Sequence, residues 1–445
     1  MTILLNLDNV VLAKTGVPVT PNVGLPYMAN ALRHFGLPDM VNQCFNDPKN
    51  SNREIHPYNK ILGSTFSLIA GGDKIEDIQK LRADNCLAHA MGFNSIMSPD
   101  TFLNFLADCN NTKNLEELNK LICLNALRKS EVQFFTYDND ATYFNSNKKC
   151  ATYSYKKEKQ MSGLLGFIPD LNLCTTADYR TGKVSPKTGV LNQLQDMVAL
   201  AKEAGKRILN FRSDSAAHSF EIFKYCIKEH INFFISLSQT PIIKNIIESI
   251  KEDRWQSLDD KASIDTNDKK NIQWTESTYC MVKTKNKHVT MRILILRWEV
   301  QSKEPRLFPE YGYHVIATNS NLPPMQWLDF HNKRMASENY NKEIKNGFAM
   351  EYSPSHDFYK NHNYFLISIL AYNFVQIFKA FYLPLESFSW NIKKLRFWFF
   401  DIAAKFVHHS RQIFCKLINV SDRTFSLFEY CRSKFAFVPD PPLLA

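Results

Sequence analysis

The 445-residue sequence predicts an α/β core built on a mixed sheet, interrupted by a β-rich insertion and flanked by helical regions at both ends. Three observations carry that prediction. Apolar residues recur at helical spacing before residue 129 and again from about Pro324 onward. Between these regions, aromatic-rich alternating stretches give way to a strand–helix–strand–helix–strand rhythm, as in an α/β layer. A polar run and three further strand-like stretches then break that rhythm.

Taken in order, an extended start, ILLNLDNVVLA, precedes the candidate helices LPYMANALRHF, NKILGSTFSLIA, KIEDIQKLRADNCLAHAM and NLEELNKLICLNAL. Between the last two, SPDTFLNFLADC offers Ser98 as a cap and Pro99 as the first helical residue. The segment GFNSIM joins two of these helices, which suits either a DNA-reading helix-turn-helix or a plain packing pair. Residues 1–128 are thus expected to form a mainly helical region, DNA-binding if GFNSIM joins a helix-turn-helix. Residues 129–239 open the core, with EVQFFTYDNDATYF, CATYSYKK and GLLGFIPDLNLC as strands. LNQLQDMVALAKEAG follows as a helix closed by Gly205, then RILNFRSD as a strand, SAAHSFEIFKYCIKEH as a helix and INFFISLS as a strand. Across 240–325, the charged run KEDRWQSLDDKASIDTNDKKN leads into IQWTESTYCMVKT, KHVTMRILILRWEV and YGYHVIATN, the antiparallel strands of the insertion. Residues 326–382 return to the core with HNKRMASENYNKEIKNG, expected as one helix. Residues 383–445 are expected to be helical, basic and aromatic, suited to dimerisation or DNA contact.

Composition narrows the function. Hydrophobic residues make up 44% and aromatic residues 13%, enough to bury the cores of two or three domains and too much for a disordered chain. The 14 glycines, with neither a G-x-G-x-x-G nor a P-loop, argue against a Gly-rich nucleotide enzyme. A formal charge of +10 suits a polyanionic partner, as it suits any basic surface. The 10 cysteines include no Cys-x-x-Cys pair, which points to buried thiols in a reducing compartment. No signal peptide precedes them, so a cytoplasmic protein is expected. The apolar run FLISILAYNFVQIF is interrupted by Asn373 and Gln376, and is expected as a buried helix with no membrane partner.

Candidate chemistry gathers at three acidic positions. Asp138 and Asp140 stand two apart on a strand, so both carboxylates point to one face. Like charges there need a cation beside them, or else they lie past the strand end in a turn. Asp214 falls where a strand meets a helix, at the crevice of an α/β sheet, and equally suits a helix cap. Glu338 supplies a third carboxylate. Such an oxygen-rich set is what Mg2+ (or Mn2+) prefers, and two ions roughly 4 Å apart activate a nucleophile and stabilise a leaving oxygen at a phosphodiester. If one helix carries them, His331, Arg334, Glu338 and Lys345 fall within an arc of roughly 60°. That stripe is either a solvated face or a row of groups aimed at phosphates, which Arg can fork.

On these residues the sequence resembles the DDE transposases of bacterial insertion sequences, whose catalytic domain has the ribonuclease H-like fold. One group of that family carries a β-rich insertion and a Tyr-x2-Arg-x3-Glu-x6-Lys signature on the helix with the catalytic Glu. Here His331, Arg334, Glu338 and Lys345 keep the spacing, with His in place of Tyr. The family's Asp-x-Thr motif selects Asp140 with Thr142 and leaves Asp138 as a neighbour whose part at the metal stays open; its Arg-x-Asp-Ser motif is met by Arg212, Asp214 and Ser215. The stretch KNGFAMEYSPSHDFYKNHNYFLISILAYN is also similar.

The resemblance implies Asp140, Asp214 and Glu338 as catalytic ligands of two Mg2+ or Mn2+ ions, with Arg334, Lys345, His331 and Arg212 against DNA. It also implies double-stranded DNA partners, namely terminal inverted repeats and target DNA, and a homodimer in the synaptic complex. Cut-and-paste transposition through hairpin ends, in the bacterial cytoplasm on nucleoid DNA, completes the expectation. His331 is equally a candidate structural histidine. Trp298 either stacks on a flipped base or fills the insertion's own core. Three other readings stay open: a metal nuclease of the same fold that cuts without joining, a transposase-derived DNA-binding regulator, and a membrane-surface protein using its basic tail.

Overall fold

Phe134–Asn145 is the strand around which the rest is assembled, because both its faces are covered. Its odd positions point to the helix Val190–Glu203, where Asn139 Nδ2 donates to Gln193 Oε1 over 2.8 Å. Its even positions point to the helix Met335–Gly347. The computed structural model describes residues 16–45, 54–258, 270–300, 310–409 and 412–435. The predicted extended start ILLNLDNVVLA and part of the charged run after Lys251 lie outside these residues.

Among the described residues a single ten-stranded sheet holds the core. Leu173–Thr181 pairs with Lys159–Ile168, which pairs with Phe134–Asn145, both antiparallel. Arg207–Ser213 and then Asn232–Ser236 follow in parallel, each reached through a crossover helix, Val190–Glu203 or Phe220–Lys228. The insertion continues this sheet instead of forming a layer of its own. Tyr311–Thr318 pairs antiparallel with Asn232–Ser236, and Lys287–Glu299 and Lys270–Thr284 extend it outward. A small cluster of Phe234, Leu294, Leu296, Ile316, Trp327 and Leu328 seals the join.

The apolar run expected as a buried helix lies within Phe358–Tyr382, 25 residues that the surrounding protein covers almost all round. Long enough and apolar enough to cross a membrane, it has 89% of its apolar window buried within the protein. It packs on Pro57–Ile69, Asn110–Lys129 and Leu173–Thr181, tying the amino-terminal helices to the sheet. Two of its asparagines are anchored: Asn363 Nδ2 donates to the carbonyls of Leu106 and Asp108, and Asn373 Nδ2 to Cys174 O and Asn119 Oδ1. Each large apolar side chain buried here contributes about 1.5–3 kcal/mol.

Three expectations are corrected. The carboxy-terminal region is not all helical: Ala404–His409 and Gln412–Leu417 form a hairpin that also pairs with Val19–Thr20. The stretch AKFVHH has period two, and Phe406 and Cys415, cross-strand partners, both pack on the core. The predicted helix KIEDIQKLRADNCLAHAM is broken, because Asp84 Oδ1 accepts from Leu87 N and starts a new helix at Asn85. GLLGFIPDLNLC is two strands, turned between Pro169 and Asn172, the latter at φ 54°.

Candidate active site

Parallel register brings the first two acids together. Asn139 pairs with Ser213, so the next residues come together, Asp140 still on its strand and Asp214 just past the end of the neighbouring one. Asp214 also caps the turn that follows, its Oδ1 accepting from Ala216 N at 2.9 Å. The cap and the crevice position are therefore the same residue.

Asp138, on the same face as Asp140, has a different task. Arg212 Nε and Nη2 donate to its two oxygens, each at 2.7 Å, and Ser337 Oγ donates at 3.0 Å. The pair is buried, and Arg212 Nη1 reaches Phe330 O while the guanidinium lies 4.9 Å from the Phe330 ring centre. The cation that Asp138 needs is thus Arg212. This corrects Asp138 as a neighbour available to a metal and Arg212 as a DNA contact, since neither retains an open face.

The expected single helix is two. Pro324–Asn332 ends, Lys333 and Arg334 form a turn, and Met335–Gly347 begins. Arg334 N donates to His331 O and Ser337 N to Arg334 O, the tighter three-residue bonds that break an α-helical ladder. His331 therefore belongs to the earlier helix. It is buried with Nε2 3.2 Å from Ser236 Oγ, and its ring meets that of His314 edge-on. Burial holds its pKa well below the usual imidazole range, so it is neutral and structural, and the expected phosphate contact is corrected.

From Met335 onward the stripe survives in altered form. Ser337, Asn341 and Lys345 recur every four residues above the strand. Asn341 Nδ2 donates to Asp140 Oδ2 at 2.8 Å, and Lys345 Nζ donates to Tyr143 O at 2.8 Å and pairs with Glu351 at 2.8 Å. Glu338, 63% exposed, turns back to Arg334, whose Nη2 lies 3.7 Å from its Oε1. Arg334 Nη1 lies 3.6 Å from Asp140 Oδ1, so the guanidinium stands between the two acids. Burial pushes the Asp140 carboxyl up to about 6; Arg334 opposes that rise, while Asp214 and Glu338 add to it. Asp140 therefore feels both other acids. Ser337 and Asn341 escaped the sequence reading, although four-residue spacing from Lys345 places them on its face.

Trp298 sits opposite Gly312 in the hairpin of the insertion. A Cβ at Gly312 would come within 2.6 Å of its indole, so the ring lies across the neighbouring strand. Trp298 is half-buried and belongs to neither hydrophobic cluster, so it lies over its sheet without filling a core.

The acids offer the oxygen donors a divalent ion prefers, and a cation, Arg334, already stands between two of them. Among the described residues no three His, Cys, Asp or Glu side chains surround one point as ready ligands. The donor chemistry fits Mg2+ or Mn2+; in the geometry described, Arg334 provides the positive charge.

A family model described as transposase DDE domain group 1 matches residues 4–429. No curated protein matches the sequence. Among solved structures the chain is similar to a piggyBac transposase, in the cryo-EM structure of its synaptic complex with hairpin DNA. The two are 10% identical with a TM-score of 0.40, over 78% of this chain and 74% of that one. Since the family model covers nearly the whole chain, the protein belongs to the DDE-domain transposases, group 1.

Proposed function

We propose that the protein is the cut-and-paste transposase of an insertion sequence, cleaving at terminal inverted repeats and joining the freed ends to target DNA. The observation that carries this reading is the convergence of Asp214 and Glu338, from different elements, on the half-buried Asp140. The strand order Leu173–Thr181, Lys159–Ile168, Phe134–Asn145, Arg207–Ser213, Asn232–Ser236, two antiparallel steps then two parallel, supports a ribonuclease H-like core.

Mg2+ or Mn2+ held by Asp140, Asp214 and Glu338 would lower the pKa of an attacking hydroxyl and offset charge on the departing 3′-oxygen. The chain's own residues prepare that site. Asn341 fixes the Asp140 carboxylate through Oδ2, leaving Oδ1 toward Arg334. Arg334, charged and set in the turn before the Glu338 helix, is placed to fork a phosphate beside the scissile one. Lys345, anchored on Tyr143 O, sets a second positive charge two turns beyond Glu338. Holding two element ends at once calls for two protomers.

The test is a labelled element end incubated with target plasmid and Mg2+. Joined product is expected, and Asp140→Ala or Glu338→Ala should abolish cutting and joining while end binding persists. Cut ends without joined product would make the protein a nuclease, and unchanged cutting in both variants would remove the acids from the mechanism.

A further inference from the structure

The helix that carries Glu338 has a second functional flank. Opposite the acids, Tyr340, Glu343 and Gly347 form one wall of an open cleft of about 750 Å³. Its floor is the buried helix Phe358–Tyr382, and its far wall is the segment Phe388–Lys393.

Two charged groups, Lys379 of the floor and Glu343 of the wall, are already satisfied. Lys379 Nζ donates to Trp390 O at 2.7 Å, and Glu343 Oε1 accepts from Ile392 N at 2.8 Å. Gln376 is different. It is 1% exposed, and neither its Nε2 nor its Oε1 has a hydrogen-bond partner among the described residues; the hydroxyl of Tyr372, one turn earlier, has none either. A buried carboxamide without partners is costly, so its occupant must supply an acceptor and a donor side by side. The Watson–Crick edge of every base sets a donor beside an acceptor, a pattern a carboxamide can meet with two bonds, as glutamine does on adenine in duplex DNA. Tyr340 and Trp390 bring aromatic rings to the cleft, and the exposed Lys342 and Lys393 stand on its lining where a phosphate would emerge.

We propose that this cleft binds one unpaired nucleotide of a DNA strand, its base inward on Gln376 and Tyr372 and its phosphate outward on Lys342 and Lys393. The inference rests on the transposase reading only for the source of the nucleotide.

The full chain, without metal, is titrated with a single-stranded trinucleotide carrying central 2-aminopurine, with deoxynucleoside monophosphates and with duplex DNA. The trinucleotide should bind with quenched fluorescence. Gln376→Leu, close in size, should weaken it about tenfold or more and leave duplex binding unchanged. Lys342→Ala with Lys393→Ala should weaken it with a shallower salt dependence. Asp140→Ala, which stops cutting, should leave it intact, so this inference and the transposase reading fail separately. Unchanged trinucleotide affinity in a folded Gln376→Leu protein would mean the cleft holds only water. Monophosphates binding as tightly as the trinucleotide would overturn the DNA strand as its source.

Discussion

Asp138 and Arg212 meet through two hydrogen bonds of 2.7 Å across adjacent parallel strands, with side-chain exposures of 0% and 4%. They lie two residues before Asp140 and Asp214, so this pair fixes the register that brings the acids together. Breaking one partner of a buried ion pair costs about 3–5 kcal/mol, because the other charge is stranded. Arg212→Ala should lower unfolding free energy by that amount in urea denaturation. Asp138→Leu combined with Arg212→Met should recover most of it. A loss of DNA affinity with undiminished stability would instead return Arg212 to the nucleic-acid surface.

Asp140 makes the metal-free protein pH-sensitive in an unusual direction. Its carboxyl is raised from 3.8 to about 6 in the folded chain. A group with a raised folded pKa contributes stability that is complete below the unfolded value and is lost as pH rises through the folded one. Asp140→Asn should therefore stabilise the metal-free protein by about 2–3 kcal/mol near neutral pH and by little below about pH 4. Urea midpoints at the two pH values test this; equal shifts at both would show that Asp140 is not desolvated.

Asn341 is a positioning residue for Asp140. Asn341→Leu should reduce cleavage by about 10–100-fold and raise the Mg2+ concentration for half-maximal rate. Asn341→Gln should recover part of the loss if its amide reaches the same oxygen. A leucine variant with the wild-type metal dependence would contradict the assignment.

Gly312 has no room for a side chain, since an added Cβ would meet the Trp298 indole at 2.6 Å. Gly312→Ala should displace the ring and cost about 1–3 kcal/mol, seen as a lower melting temperature. Trp298→Ala in the same background should relieve the clash, so the double variant should melt no lower than Trp298→Ala alone. Additive losses would place the indole elsewhere.

The fold was legible wherever period and punctuation agreed. Phe134–Asn145 could be recognised from its alternation, Arg207–Ser213 and Asn232–Ser236 from the rhythm of strand and helix around them, and the apolar Phe365 stretch from the polar residues that interrupt it. The carboxy-terminal hairpin was hidden because AKFVHH and QIFCKL are basic and aromatic, a composition that also suits a helix. In the site, motif spacing singled out Asp140, Asp214 and Glu338, which the fold brings into one region, but joined the buried His331 to them. Nothing in HNKRMAS forces a turn; the break at Lys333 and Arg334 follows from docking His331 against Ser236 and His314. Pairing of Arg212 with Asp138 depends on strand order, which linear spacing does not contain.

The long buried helix Phe358–Tyr382 also sets when the protein becomes itself. Thr112 Oγ1 finds its partner Asn363 only 251 residues later, and Arg396 reaches back 328 residues to the carbonyl of Leu68. While a ribosome is still extending the chain, the first helices have emerged with oily sides uncovered, a state chaperones exist to shield. A truncated product ending just after Glu338 would contain every acid and still lack the scaffold that orients them. Competence therefore arrives only once Phe358–Tyr382 and Arg396 have emerged to meet the first helices.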